Sequence, residues 1–316
     1  MQSVQFKNRG IDMAGNLYLP NGFQQHQKYP AIVCVHPGGG VKEQTTGVYA
    51  LRLAEAGFVT LAFDSSYQGG SGGTPHFLDE PMNRVGDVWS AVDFVVTLPY
   101  VDAERIGVLG ICAGGGVVAK AAAIDRRIKA VATVSAVNVG ATTRKGWDGN
   151  GSVATLMATL DALAKSRTTE AAGGETAYAP YLPKVGDTSA PRDLQEAAGY
   201  YLTPRGQYPT SQNKMLMSGL GAWVAFDAFD LVDTLLTQPL LVVAGSEAGS
   251  LWHSQELHAK ARGPRKELAI IEGFTHIGLY DGEGREKALS KLTSFFSSNL
   301  GDVQAGTNSD RSSRVA

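Results

Sequence analysis

Short apolar runs alternate with segments of helical periodicity along most of the chain. A continuous apolar run with no polar face is typical of a strand buried on both sides of a sheet. The segments between the runs place apolar residues three and four positions apart, which predicts helices packed on that sheet. The first two predicted strands are short antiparallel edge strands. The predicted strands cover residues 4–6, 16–19, 31–35, 59–63, 105–109, 130–134, 240–244 and 268–271, and the predicted helices cover residues 45–56, 83–98, 117–123, 152–164, 212–236, 254–261 and 283–300.

This alternation predicts an α/β fold, in which an eight-stranded, mostly parallel sheet carries helices on both faces. The rhythm stops near residue 137 and resumes near residue 238. We therefore predict a core of residues 1–137 and 238–300, with residues 138–237 inserted as a helical cap over the carboxyl ends of the strands. Residues 301–316 are rich in Ser, Asn, Gly and Asp, which predicts a flexible tail.

Composition narrows the classes of function. Hydrophobic residues make up 43% of the chain and charged residues 18%, with a net charge of −2, so neither a nucleic-acid footprint nor a basic membrane patch is expected. The amino terminus lacks the basic and apolar segments of a signal peptide, and no apolar run has the roughly 18 residues of a membrane span. We expect a cytoplasmic protein, and the sequence leaves open whether it forms a homo-oligomer.

The chain has two cysteines, in different settings. Cys34 lies inside an apolar strand and is interpreted as a core residue. Cys112 is the centre of the pattern Gly-x-Cys-x-Gly at residues 110–114, between a predicted strand and a predicted helix. This is the spacing of a nucleophile elbow, where small flanking residues permit a sharp strand-to-helix turn. A disulfide between the two cysteines is not expected on geometric grounds.

Two further reactive side chains follow later strands. Glu247 comes after the strand at residues 240–244, and His276 comes after the strand at residues 268–271. Nucleophile, acid, histidine is the chain order of the α/β-hydrolase triad, whose members meet beyond the carboxyl ends of the strands. We therefore assign Cys112 as nucleophile, His276 as general base and Glu247 as the triad acid. Glu247 as an ordinary exposed loop carboxylate is the alternative.

A loop of small residues supplies the remaining parts of the predicted site. An oxyanion hole needs two backbone N–H groups, and the residue after the nucleophile, Ala113, supplies one. The second comes from the loop at residues 36–40, where proline 37 has no N–H, so Gly38 or Gly39 is implied. His36, at the end of its strand, is a candidate for lining the site.

Four motifs resemble those of dienelactone-hydrolase-like α/β-hydrolases, in the branch related to fungal polyketide transferases. They are HPGGGVKEQT (36–45), AFDSSYQGGSGG (62–73), DAERIGVLGICAGG (102–115) and GFTHIGLYD (273–281). The resemblance implies a Cys-His-acid triad that hydrolyses or transfers an acyl group from a small-molecule ester, thioester or lactone, with no cofactor and no metal. It places the nucleophile at Cys112 and the base at His276.

The chain departs from this branch at the acid loop, where the branch has an aspartate and this chain has Gly249. Three alternatives remain: Glu247 substitutes, the acid comes from elsewhere, or the triad is incomplete. Dienelactone hydrolases proper also carry a glutamate after the strand that ends here at His36, so dienelactone is not the expected substrate. A hydrolase is the favoured function. An acyl or polyketide transferase with the same nucleophile and a catalytically impaired binding protein are the alternatives.

Overall fold

The computed structural model describes residues 1–301, and eight of its strands form one sheet. The predicted tail therefore lies, except for its first residue, outside the described residues. The strands in chain order are β1 (Gln2–Asn8), β2 (Ile11–Tyr18), β3 (Tyr29–Val35), β4 (Val59–Phe63), β5 (Val101–Ile111), β6 (Ile128–Val134), β7 (Tyr178–Ala179), β8 (Met215–Leu216), β9 (Leu240–Gly245) and β10 (Lys266–Ile271).

The helices lie between these strands in the alternation that the sequence predicts. They are α1 (Thr45–Glu55), α2 (Pro81–Val96), α3 (Ala113–Ile124), α4 (Val139–Lys145), α5 (Val153–Ala171), α6 (Arg192–Tyr201), α7 (Leu220–Ala225), α8 (Val232–Leu235), α9 (Leu251–Lys260) and α10 (Gly282–Leu300).

The sheet has the strand order β1-β2-β4-β3-β5-β6-β9-β10. β1 and β4 each pair antiparallel with β2, and the remaining neighbours are parallel. One hydrophobic core lies on each face, the first including side chains of α2 and α3 and the second those of α1 and α10. Every residue of β3 is buried, as its unbroken apolar run predicts. The α/β-hydrolase fold class is therefore confirmed.

Between β6 and β9 the chain adds no strand to the large sheet and forms mainly helices, together with the small β7–β8 pair. The single helix predicted over residues 212–236 is wrong. Its first part pairs as β8, and Leu231 has a φ of 65°, which a continuous helix cannot contain. α6 was not predicted, because its short polar and aromatic sequence follows a segment rich in Gly and Pro. The cap boundaries at 138 and 237 remain a prediction.

Within residues 1–301, no helix is both long and apolar enough to cross a membrane.

Candidate active site

Cys112 lies at a sharp turn between β5 and α3. Its φ is 54° and its ψ is −121°, a left-handed conformation that is strained for any residue with a side chain. The flanking glycines are required by close backbone approach: a Cβ on Gly110 would overlap the Gly114 carbonyl, and one on Gly114 would overlap the carbonyl of Val35. The Cys112 carbonyl accepts the Val137 N–H at 2.9 Å, which ties the turn to the chain after β6. The predicted elbow is present.

His276 follows β10 and is brought to the same edge of the sheet as Cys112. Its ring is buried, with Nδ1 hydrogen-bonded to Ser250 Oγ at 2.6 Å and Nε2 to the Tyr280 hydroxyl at 3.2 Å. The Trp147 indole packs against it in a T-shaped arrangement, with ring centroids 5.1 Å apart. Contacts on both nitrogens and with the Trp147 ring hold the imidazole in one orientation.

The surroundings of Cys112 favour its thiolate. Burial by itself raises the pKa of the thiol, but the charge of His276 and a hydrogen bond with it act in the opposite direction. Hydrogen bonds from the Tyr280 hydroxyl and from the Ala113 backbone lower it further. The net pKa of Cys112 lies below its usual value, as is typical of a cysteine paired with histidine at a helix N-terminus.

The structure does not bring Glu247 to His276. The carboxylate of Glu247 forms an ion pair with Arg192 at 3.1 Å, and its side chain is about half exposed. The partner of His276 Nδ1 is instead Ser250, a buried residue three positions later in the same loop. The sequence analysis missed Ser250 because it searched that loop only for a carboxylate.

Gly249 is surrounded in a way that accounts for the missing aspartate. A Cβ at this position would lie 2.7 Å from Asp148 Oδ1 and 3.3 Å from Asp193 Oδ2. A carboxylate side chain there would meet two others of the same charge. In this chain, the position at which related proteins have the aspartate is therefore bordered by the carboxylates of Asp148 and Asp193. The sequence analysis identified neither of these two residues.

The residues predicted for the oxyanion hole come together beside Cys112. Ala113 is the first residue of α3, and a Cβ on Gly38 would lie 3.7 Å from the Cβ of Ala113. Gly39 has a φ of 66°, and a side chain there would overlap the Tyr181 ring. Glycine is thus required at position 39 for two reasons, and Gly38 brings the loop close to Ala113.

His36 lies beneath the cavity wall rather than on it. Its ring is buried, with Nε2 accepting the Ser65 N–H at 3.0 Å and Nδ1 lying 2.7 Å from the Pro37 carbonyl. Burial, followed by the nearby Arg84 guanidinium, lowers the pKa of His36 to about 3. A neutral, fully engaged imidazole supports the loop structurally, and the cavity lining begins at Pro37.

A cavity of about 170 Å³, partly open to solvent, connects these groups. Its wall is largely apolar and aromatic, with few polar side chains, as expected for a small-molecule site. Tyr280 could have been found from the sequence, because it lies four residues after His276 within one predicted motif. The lining residues beyond Cys112, His276, Gly38 and Ala113 include Pro37, Val137, Val139, Thr142, Trp147, Tyr181, Leu182, Asp193, Leu194, Ala197, Tyr201, Trp223, Ile277 and Tyr280.

The strand order, the elbow after β5 and the histidine after the last strand define an α/β-hydrolase, a class that includes enzymes acting on carboxylic ester bonds. Residues 13–177 match the dienelactone hydrolase family. The chain belongs to this family, as the resemblance of its motifs implies.

Three known proteins illustrate the relationship. The uncharacterized protein YcjY of Escherichia coli K12 is 44% identical over 93% of this chain and 96% of its own length. The crystal structure of the hypothetical protein PA2218 from Pseudomonas aeruginosa has a TM-score of 0.88 at 36% identity, covering 94% of this chain and 93% of that one. The polyketide transferase claH of Penicillium crustosum is 23% identical over 95% of this chain and 98% of its own length.

Proposed function

We propose that the protein hydrolyses an ester, thioester or lactone through an acyl-thioester intermediate on Cys112. The observation that carries this proposal is the strained cysteine held against a buried histidine, with a thiol pKa below its usual value. A thiolate is the nucleophilic form of cysteine, and histidine is the usual base and acid beside it. The small-molecule substrate is expected to enter the largely apolar cavity that contains both residues.

The reaction proceeds in two halves. The Cys112 thiolate attacks the substrate carbonyl, and the amides of Ala113 and of Gly38 or Gly39 stabilise the negative oxygen that forms. The carbonyl re-forms as the carbon–oxygen (or carbon–sulfur) bond to the leaving group breaks, and protonated His276 gives its proton to that group. His276 then takes a proton from water as the water attacks the thioester. The acid product leaves, and the sulfur regains its electron pair.

Ser250 takes the orienting role that the predicted acid Glu247 would have had. Its hydroxyl engages His276 Nδ1, so Nε2, which also contacts the Tyr280 hydroxyl, is the nitrogen that exchanges protons with the thiol and the leaving group. A neutral hydroxyl stabilises the imidazolium less than a carboxylate does. We therefore expect Ser250 to fix the orientation of the His276 ring but to stabilise its positive charge only modestly.

Substituting Ser250 and Glu247 one at a time tests which of them orients His276. We expect Ser250→Ala to lower kcat by about tenfold, because the variant loses the free energy of roughly one hydrogen bond in the transition state. We expect Glu247→Gln to leave kcat within about twofold, because an exposed ion pair contributes little. Steady-state hydrolysis of a p-nitrophenyl ester measures both. A loss in Glu247→Gln as large as that in Ser250→Ala would restore Glu247 as the acid and contradict the role of Ser250.

Trapping the intermediate tests the proposed function itself. We expect rapid mixing with p-nitrophenyl esters of increasing chain length to give a burst of p-nitrophenol, followed by slower turnover. Acid quenching and peptide mass analysis should then find the acyl mass on the peptide that contains Cys112. An acyl group on a serine, or turnover without any acylated Cys112, would contradict the proposal.

The same experiment separates hydrolysis from transfer. In the alternative function, an added alcohol receives the acyl group in place of water, as the name of the polyketide transferase relative suggests for that protein. Ester product formed in preference to free acid, at alcohol concentrations far below that of water, would support transfer. Free acid as the main product supports hydrolysis.

A further inference from the structure

Asp193 places a carboxylate in the wall of the active-site cavity. It lies in the first turn of α6, and only 2% of the residue is exposed. Its Oδ2 accepts the Trp147 indole N–H at 2.9 Å. Carboxylates are seldom buried to this extent without a cationic partner, because removing the charge from water costs several kcal/mol.

No cation of the described residues 1–301 forms an ion pair with this carboxylate. The neighbouring Arg192 is engaged elsewhere, by Glu196 and Glu247 at 3.1 Å each. A second carboxylate, that of Asp148, borders the same Gly249 position as Asp193. Asp148 is exposed, whereas Asp193 is buried in the cavity wall with the Trp147 N–H as its hydrogen-bond donor, so Asp193 gives this end of the cavity a negative potential.

Asp193 shares the cavity with several aromatic side chains, of which Trp147 contacts it directly through its indole N–H. Trp147, Tyr181, Tyr201 and Trp223 all line this cavity. The Tyr201 hydroxyl is buried there and lies within hydrogen-bond reach of the Tyr280 hydroxyl. Aromatic faces beside an acid are the arrangement that binds ammonium groups in water-excluded sites, through attraction to the ring face and to the carboxylate.

We infer that the acyl group accepted by this enzyme carries a positively charged nitrogen, which binds between Asp193 and the aromatic wall. The inference rests on the proposed function, because it concerns the end of the acyl group that lies away from the carbonyl attacked by Cys112. The positive charge of the substrate would neutralise the Asp193 carboxylate, which forms no ion pair within residues 1–301. The apolar remainder of the wall would cover the methylene chain between the nitrogen and the carbonyl.

A pair of substrates of equal shape tests this inference. The p-nitrophenyl esters of 4-(trimethylammonio)butanoic acid and of 5,5-dimethylhexanoic acid differ in having a quaternary nitrogen or a quaternary carbon at the same position. We expect the wild-type enzyme to favour the cationic ester by about tenfold or more in kcat/KM, mostly through KM. We expect Asp193→Asn, which keeps an oxygen for Trp147, to bring the ratio of kcat/KM for the two esters close to one, whatever its absolute rates.

Asp161→Asn is the matched control, because it removes the same charge from an exposed position on α5. It should keep the wild-type preference, which separates a local effect of Asp193 from a change in net charge. Equal or faster hydrolysis of the neutral ester by the wild type would overturn the inference whether or not Asp193→Asn folds. A preference that survives Asp193→Asn would also overturn it. Failure of the wild type to hydrolyse either ester would instead contradict the proposed function, and the inference with it.

Discussion

Replacing Cys112 by alanine is expected to reduce kcat/KM for ester hydrolysis by roughly 10³-fold or more, because no other group at the elbow can form the acyl intermediate. Cys34→Ala is the matched control, since Cys34 is the other cysteine of the chain and is fully buried in β3. It should keep activity at a modest cost in stability. Steady-state kinetics of both variants on one ester measure the difference. Turnover that survives Cys112→Ala would remove the nucleophile from the proposal.

The two thiols should also differ in reactivity towards iodoacetamide. His276 and its hydrogen bond lower the pKa of Cys112 in spite of burial, whereas burial alone raises the pKa of Cys34 far above its usual value. Because the thiolate is the reactive form, Cys112 should be alkylated at neutral pH, and its labelling rate should reach half its maximum below pH 8.5, the usual value for cysteine. Labelling of Cys34 before Cys112 in the folded protein would contradict this reading of the site.

The second large effect is expected on stability, from a single added methyl group. In Gly114→Ala the new Cβ meets the backbone carbonyls of Val35 and His36, which cannot move without distorting β3. We expect the free energy of unfolding to fall by about 3 kcal/mol, together with loss of activity, since the elbow must open. Urea denaturation followed by far-ultraviolet circular dichroism measures the change.

Gly86→Ala is the matched control for this effect. Gly86 lies inside α2, and nothing comes within 4 Å of its Cβ position. Alanine there should raise the free energy of unfolding by about 0.5–1 kcal/mol, because it favours the helix over the unfolded chain. The same substitution is therefore expected to act with opposite signs at the two sites. Equal effects would mean that the close approach at Gly114 does not constrain the elbow.

Much of the architecture could be predicted because it depends on local patterns. The eight strands of the sheet are apolar runs or short edge strands, and each was predicted near its observed position. The convergence of Cys112 and His276 on one cavity could be predicted for a related reason, since the carboxyl ends of parallel strands meet at one edge of the sheet wherever the intervening chain goes. The segment between β6 and β9 was harder to predict, because its helices are short and their ends depend on tertiary contacts. The break at Leu231 and the formation of α6 are examples.

The candidate acid shows where local reasoning fails. Glu247 has the right residue type at the right distance after β9, yet its side chain turns outward to Arg192. Which side chain reaches His276 Nδ1 depends on rotamers and on neighbours far along the chain, and the sequence carries no periodic signal for either. Ser250 and Asp193 are therefore identified only in the folded protein.

The sequence by itself determined the fold class, the elbow at Cys112, the placement of His276 at the same edge of the sheet, and the loop of small residues beside them. These follow from burial periodicity and from backbone conformations that only small residues permit. The tertiary structure decided the partner of His276, the exclusion of His36 from the cavity wall and the presence of the buried Asp193 carboxylate in that wall. Each of these features depends on contacts between residues that are distant in the chain. Packing and electrostatics, rather than local conformational preference, determine which of these residues come into contact.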